Sequence, residues 1–444
     1  MAGYLVSGFE HPDHLPGEPR RERAPWWIFA PWLVARAVGV AVAGLLVAPL
    51  WAPLLVGAAV WGHPPTAARA RDGARVLRRL WRRRPGPGVA TLDRLSLTVT
   101  IARMVALAPL PGLAWLVDEL LYGRALSAVR VRAPIFLVSA ARSGSTQLAH
   151  ELENDPRVVA PTMLQILWPY LWLWRLAAPT LGRLLGRARV RAIFRRLMPP
   201  EFLERHEGDP YRTDTFELAF YRLHPARFAA YLGPDVFPEE FVIVDGPPGS
   251  AAPWRGVIAP LVVRMAHKTL LFAGAGDEAR LFVKGHFLGA ADALAAAFPD
   301  ARFVTMLRAP AKRLQSMVNF LWCNPIADGI GKPPWAWLAA GVAAGELAYN
   351  EAERAWFTRP DGPRRVVLRF DAYVRDLPGT LARIHAACFD APPPGGLPSG
   401  HGERARSRYA VDRSLAALGV DAAAYEAAQP AFVAWCRGDE GREG

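Results

Sequence analysis

From Ala37 to Trp61 the chain runs for 25 residues without a charged side chain, and about 20 apolar residues suffice to span a bilayer as a helix. The run reaches back to Pro25 with Arg36 as its one charge. Such a stretch must be buried in a core or given to lipid. Its length, the tryptophans near both ends (Trp26, Trp27, Trp32, Trp51, Trp61) and the arginines that follow favour lipid. A secretory signal peptide fits poorly, because Glu10, Asp13, Glu18 and Glu22 stand where a basic segment belongs. Pro49 and Pro53 permit a kink or a re-entrant hairpin.

The net charge of +13 is localised. Between Arg69 and Arg84, eight arginines oppose only Asp72, so this stretch supplies +7. Beside an apolar run, that cluster is read as contact with anionic headgroups, and no nucleic-acid recognition motif accompanies it. A second apolar stretch, Leu95–Leu121, is broken by Arg103, Pro109, Pro111, Asp118 and Glu119. It suits an interfacial helix better than a span. Three dispersed cysteines (Cys323, Cys388, Cys436) offer neither a disulfide framework nor zinc-ligand spacing.

From about Arg132 the texture changes. Short apolar runs at Ile135–Ser139, Phe241–Val244, Leu281–Val283, Arg302–Leu307 and Arg365–Arg369 predict strands. Helical patterns fall at Thr146–Glu153, Gly289–Phe298, Ala311–Leu321, Ala336–Trp356 and Leu377–Phe389. The alternation predicts an α/β fold, a three-layer parallel sheet flanked by helices. The chain therefore divides into a polar tail (1–24), a membrane-associated helical region with the Arg-rich segment (25–130) and a catalytic domain (131–444).

The sharpest local signal follows the first predicted strand. A tight loop carries Arg142, Ser143, Gly144, Ser145 and Thr146, and Gln147 follows in the helical pattern that begins at Thr146. Helix N-termini present free N–H groups and partial positive charge, so the arrangement suits an anion. An ordinary turn with Ser145 or Thr146 as N-cap would use the same residues. A Walker A loop is not present, because Ser145 stands where the lysine belongs. That weighs against a P-loop-type kinase or NTPase. A non-catalytic nucleotide-binding protein at the membrane surface is the other alternative.

The loop resembles the 5′-phosphosulfate loop of the PAPS-dependent sulfotransferases, which reads Pro, Lys or Arg, Ser, Gly, Thr, Thr. Ala141 replaces the proline here and Ser145 the first threonine. Downstream, Arg308 ends a predicted strand and Ser316 follows eight residues later, after Pro310. That spacing is similar to the family's 3′-phosphate element. Between the two lies Leu281-Phe-Val-Lys284-Gly-His286, where alternation sets Lys284 and His286 on one face. Arg404-Ala-Arg406-Ser-Arg408-Tyr409 is similar to a basic segment that closes over the nucleotide.

The resemblance implies a P-loop-like sulfotransferase fold with PAPS as co-substrate, no metal, and a hydroxyl-bearing acceptor. Residues 142–147, Arg308, Ser316, Arg408 and Tyr409 are then expected to bind the nucleotide. His286 is expected to act as general base, with Lys284 and Arg142 stabilising the transferring group and Glu217 in reserve as base. Met163–Leu176, rich in large apolar residues, is either core or an acceptor groove for a lipidic alcohol. Because PAPS is made in the cytosol, the catalytic domain is expected to face the cytoplasm, with Leu95–Leu121 making no net crossing and either lying along the membrane or packing under that domain.

Overall fold

The computed structural model describes residues 26–52, 65–82, 91–197, 208–216, 255–276, 278–323, 335–394 and 413–438. Five parallel strands form the sheet: β1 (Ile135–Leu137), β2 (Val158–Val159), β3 (Arg280–Lys284), β4 (Arg302–Leu307) and β5 (Arg364–Arg369). Their order across the sheet is β2-β3-β1-β4-β5. In register, Ile135 sits opposite Phe282 on one side and Arg302 on the other. The central strands are buried on both faces, which a parallel sheet covered by helices requires.

Alternation along the strands feeds two separate cores. Phe136, Leu281, Val283 and Phe303 join one cluster with Phe298 and Trp356. The Phe303 ring lies 5.4 Å from Phe136 and 4.9 Å from Trp356, edge-on to the latter, a favoured geometry for aromatic pairs. Ile135, Leu137, Phe282, Val304 and Met306 face the other way, onto Leu148, Leu381 and Ile384. A one-residue slip of β1 would exchange these sets, so burial fixes the register.

Four of the five expected strands are present, and Arg302–Leu307 has the expected bounds. Phe241–Val244 lies outside the described residues. The two-residue β2 is an addition, too short to leave a periodic signature, and is held by pairing with β3. The helical patterns are present as Ser145–Leu152, Ala291–Ala297, Pro310–Cys323, Trp335–Phe357 and Leu377–Phe389.

In the N-terminal region the helix Trp26–Val47 packs on Thr91–Ala106, and Arg36 reaches Thr100 at 3.2 Å. Val34, Val38, Leu45 and Leu46 remain exposed on it. The stretch expected at Leu95–Leu121 is two helices, Thr91–Ala106 and Pro109–Ala128, parted at the Ala108–Pro109 step. Both this pair and the Trp26–Leu50 segment are long and apolar enough to cross a membrane.

The second helix is nevertheless fastened to the sheet domain. Buried Asp118 accepts the backbone N–H groups of Leu171 and Trp172, each at 2.7 Å, and pairs with buried Lys268 at 2.8 Å. The Lys268 ammonium lies 3.3 Å from the Trp115 ring centroid. Burial nevertheless lowers the Lys268 pKa to about 8. A carboxylate at the N-terminus of helix Leu171–Leu184 also complements the helix dipole.

Candidate active site

The strand order positions the site. From β1 the chain moves outward to β2 and returns as β3, then crosses β1 to reach β4. The segments leaving β1 and β4 therefore diverge and open a crevice at the strands' carboxyl ends, the usual ligand position in such sheets. The loop expected to bind an anion lies there.

Its backbone is unusual at two residues. Arg142 has φ 65° and Gly144 has φ 90°. A Cβ on Gly144 would stand 2.6 Å from the Phe370 ring, so only glycine fits. Gly144 is the N-cap of helix Ser145–Leu152 and, lacking a side chain, makes no cap bond to it. The alternative with Ser145 or Thr146 as N-cap is thereby corrected, since both lie inside the first turn. Among the described residues the first-turn N–H groups, at the carboxyl end of β1, have no capping side-chain acceptor. Ser143 is fully buried, and among the described residues its hydroxyl has no hydrogen-bond partner. An orphaned buried hydroxyl in a loop with uncapped N–H groups fits a ligand that supplies several acceptor oxygens.

Lys284 ends β3 beside this loop. Its buried ammonium donates to Thr146 Oγ1 at 2.7 Å and to Asp214 Oδ1 at 3.2 Å. A Walker A loop carries its lysine in the loop, whereas here the neighbouring strand brings one to the same helix terminus. His286, half-buried, hydrogen-bonds through Nδ1 to the Ser139 carbonyl at 2.6 Å. A carbonyl only accepts, so Nδ1 carries the proton and the neutral ring has its lone pair at Nε2.

On the other side of the crevice Arg142 Nε donates to Ser316 Oγ at 3.0 Å, and its guanidinium stacks on Phe320. Arg308 donates to the Arg142 carbonyl at 2.7 Å and lies over the Phe370 ring. Thus Arg142, Arg308 and Ser316, far apart in sequence, form one chain of contacts. Gln147 turns from the loop to Glu151, at 3.1 Å. Arg406, Arg408, Tyr409 and Glu217 lie outside the described residues.

Residues 134–389 match the model of the sulfotransferase family, which is more than half of the chain. The chain belongs to the sulfotransferase family. Two solved structures share the fold. Sulfotransferase STF1 from Mycobacterium tuberculosis H37Rv is 19% identical, with TM-score 0.53 over 81% of this chain and 91% of that one. Sulfotransferase STF9 from Mycobacterium avium is 15% identical, with TM-score 0.59 over 82% of this chain and 90% of that one. These shares exceed the span 131–444, so the likeness takes in residues before Arg132. No curated protein matches the chain.

Asp214 was missed by sequence reasoning. The stretch Thr213-Asp214-Thr215-Phe216-Glu217 drew notice for Glu217, yet Asp214 is the carboxylate that meets Lys284. Segment 208–216 is anchored by Thr213 N–H to Glu153 Oε2 at 2.9 Å and by Phe216 N–H to the Lys284 carbonyl at 2.8 Å. Nothing periodic marks such a segment, so the only sequence signal was a carboxylate in a polar turn.

Glu353 was missed as well. From helix Trp335–Phe357 it accepts the Thr305 hydroxyl at 2.5 Å and the Ala140 N–H, beside buried Arg313 at 3.8 Å. Burial outweighs the arginine and lifts its carboxyl pKa to about 7. This side chain ties β4 to the loop entrance.

Met163–Leu176 divides between the two readings. Met163, Ile166, Tyr170, Leu171 and Trp174 are buried, whereas Trp168 and Leu176 are exposed. Its buried residues belong to the core, and only Trp168, Arg175 and Leu176 are exposed.

Proposed function

We propose that this chain transfers the sulfuryl group of PAPS to the hydroxyl of a hydrophobic or lipidic acceptor, with the acceptor entering the crevice at the carboxyl ends of β1, β3 and β4. The convergence of Arg142, Lys284, His286, Arg308 and Ser316 on that crevice carries the reading. PAPS would bring a sulfuryl group bonded to a phosphate oxygen, and transfer leaves charge on that oxygen.

The chain's own groups match these demands. The N–H groups of the loop, Arg142 and the hydroxyls of Ser143, Ser145 and Thr146 bind the 5′ end, with Gln147 behind them. Orphaned Ser143 Oγ gains a partner in this way. Arg308 and Ser316 bind the 3′-phosphate, and Arg408 and Tyr409 close over the nucleotide. Lys284, held against Thr146, supplies positive charge where the leaving oxygen develops it. His286 Nε2 takes the acceptor's proton, while the Ser139 carbonyl fixes the ring's tautomer. None of these roles calls for a metal.

For the membrane we propose that Trp26–Leu50 and the Arg69–Arg84 cluster hold the protein at a cytoplasmic leaflet, with the catalytic domain on that side. The bonds of Asp118 to Leu171, Trp172 and Lys268 support this, since helix Pro109–Ala128 cannot cross a bilayer while they hold.

Titration calorimetry with PAP, the nucleotide product, in EDTA tests the enzyme reading. Binding in the micromolar range is expected, and none at millimolar PAP would overturn it. Arg308→Ala should weaken PAP binding, whereas His286→Ala should spare binding and cut turnover by ~10²–10⁴. The reverse pattern would exchange their roles.

A further inference from the structure

Helices Leu171–Leu184 and Gly186–Leu197 follow one another directly. Residues 171–197 contain seven arginines and no acidic residue. Among the described residues, only Arg191 of the seven is paired with a carboxylate, Asp209 at 3.0 Å. Arg187 and Arg191 lie over Tyr211 on the inner side, where Phe194 is buried. The outer side of the second helix is the row Arg189, Ile193 and Arg196, spaced i, i+4, i+7, and all three are exposed. On the first helix Leu176, Arg183 and Leu184 share the outer side, with Leu176 62% and Leu184 72% exposed. Leucines left that open, among arginines of which only Arg191 has a carboxylate partner among the described residues, contribute little buried apolar surface to the fold.

The patch continues onto the neighbouring helix. Arg175 stacks on Tyr122, next to exposed Leu120 and Leu121 of helix Pro109–Ala128. Apolar side chains that protrude between cations match the boundary of a bilayer carrying anionic headgroups.

We infer that this helix pair is a second membrane contact, on the catalytic domain itself, seated on anionic phospholipid. It goes beyond the N-terminal anchor, because it orients the domain rather than tethering it. The chain before the pair leads toward the crevice: Thr162, just before the Met163–Leu167 helix, bridges to Thr213, beside the Asp214 that holds Lys284. A lipid-borne hydroxyl could thus approach from the leaflet on which the domain rests.

The test uses the full chain in nanodiscs of phosphatidylcholine, alone or with 30% phosphatidylserine, each containing a phospholipid with a diazirine near its headgroup. Cross-links mapped by mass spectrometry are expected at residues 176–196 in the serine-containing discs. Each headgroup-facing arginine contributes about fivefold to binding. Arg183→Gln, Arg189→Gln and Arg196→Gln together should therefore lower the seated-to-free ratio about a hundredfold, with the melting temperature unchanged. Cross-links confined to residues 26–108, or unaltered in the triple variant, would overturn the inference. So would cross-links from this face to a second copy of the chain. PAP affinity measured in the same discs keeps the two readings apart, since its loss would sink the enzyme and leave the lipid contact standing.

Discussion

Lys284 and Asp214 form a buried ion pair at the edge of the crevice, with side chains only 2% and 3% exposed. Lys284→Met keeps most of the stem's volume and removes the charge. Asp214 then loses its cation in a poorly solvated place, a change that typically costs 3–5 kcal/mol when one partner of a buried pair is removed. Asp214 also accepts the Thr215 N–H at 2.6 Å, which recovers part of this, so about 3 kcal/mol is expected. Asp214→Asn in the same chain removes the stranded charge and retains an oxygen for that N–H. The double variant should regain most of the stability by urea unfolding, because replacing both partners is often near neutral. Sulfuryl transfer should nevertheless stay down at least a hundredfold, since the positive charge beside Thr146 is still missing. If the double variant regained both stability and turnover, Lys284 would be a structural partner of Asp214 and no part of the chemistry.

Gly144→Ala should cost 1–2 kcal/mol for the left-handed backbone alone. Its Cβ would also displace the Phe370 ring under Arg308, so PAP affinity should fall tenfold or more, and unaltered affinity would refute the packing argument. Glu353 has a folded pKa raised from 4.5 to about 7. Its proton therefore stabilises the fold below about pH 4.5, and that contribution is lost as pH rises through about 7. Relative to Glu353→Gln, the natural chain should lose up to about 3 kcal/mol over this window, seen as a pH-dependent gap between two urea midpoints; a constant gap would count against it. Asp118→Ala leaves Lys268 buried without its carboxylate and two N–H groups without their acceptor. A loss of 3–5 kcal/mol is expected by thermal unfolding, and a loss below 1 kcal/mol would show that helix Pro109–Ala128 is not fastened as described.

How much of this could be read without coordinates depends on range. Hydrophobic runs are local, so strands such as Arg302–Leu307 and helices such as Leu377–Phe389 were legible to within a residue or so. The strand-loop-helix turn at 142–146 was legible for the same reason: strand end, glycine, hydroxyls and helix start are neighbours in the chain. The spacing of Arg308 and Ser316 and the pair Lys284/His286 were legible as patterns, though not as neighbours of the loop.

What brought them together is the strand order. With β1 between β3 and β4, groups 138 residues apart, Thr146 and Lys284, come within 2.7 Å, and Arg142 meets Ser316 across 174 residues. No pattern in a single chain reports such pairings, because side-chain periodicity specifies which face is buried and not against what. Asp214, Glu353 and Asp118 were unreadable for that reason. Each is a lone carboxylate in its own segment, and only folding surrounds it with the lysine, hydroxyl or N–H groups that make its burial tolerable. Composition and hydropathy therefore determined which segments of this protein are apolar enough to need burial or another apolar setting, while the tertiary structure alone decided which charges would meet, since the meeting is settled by sheet topology and not by sequence distance.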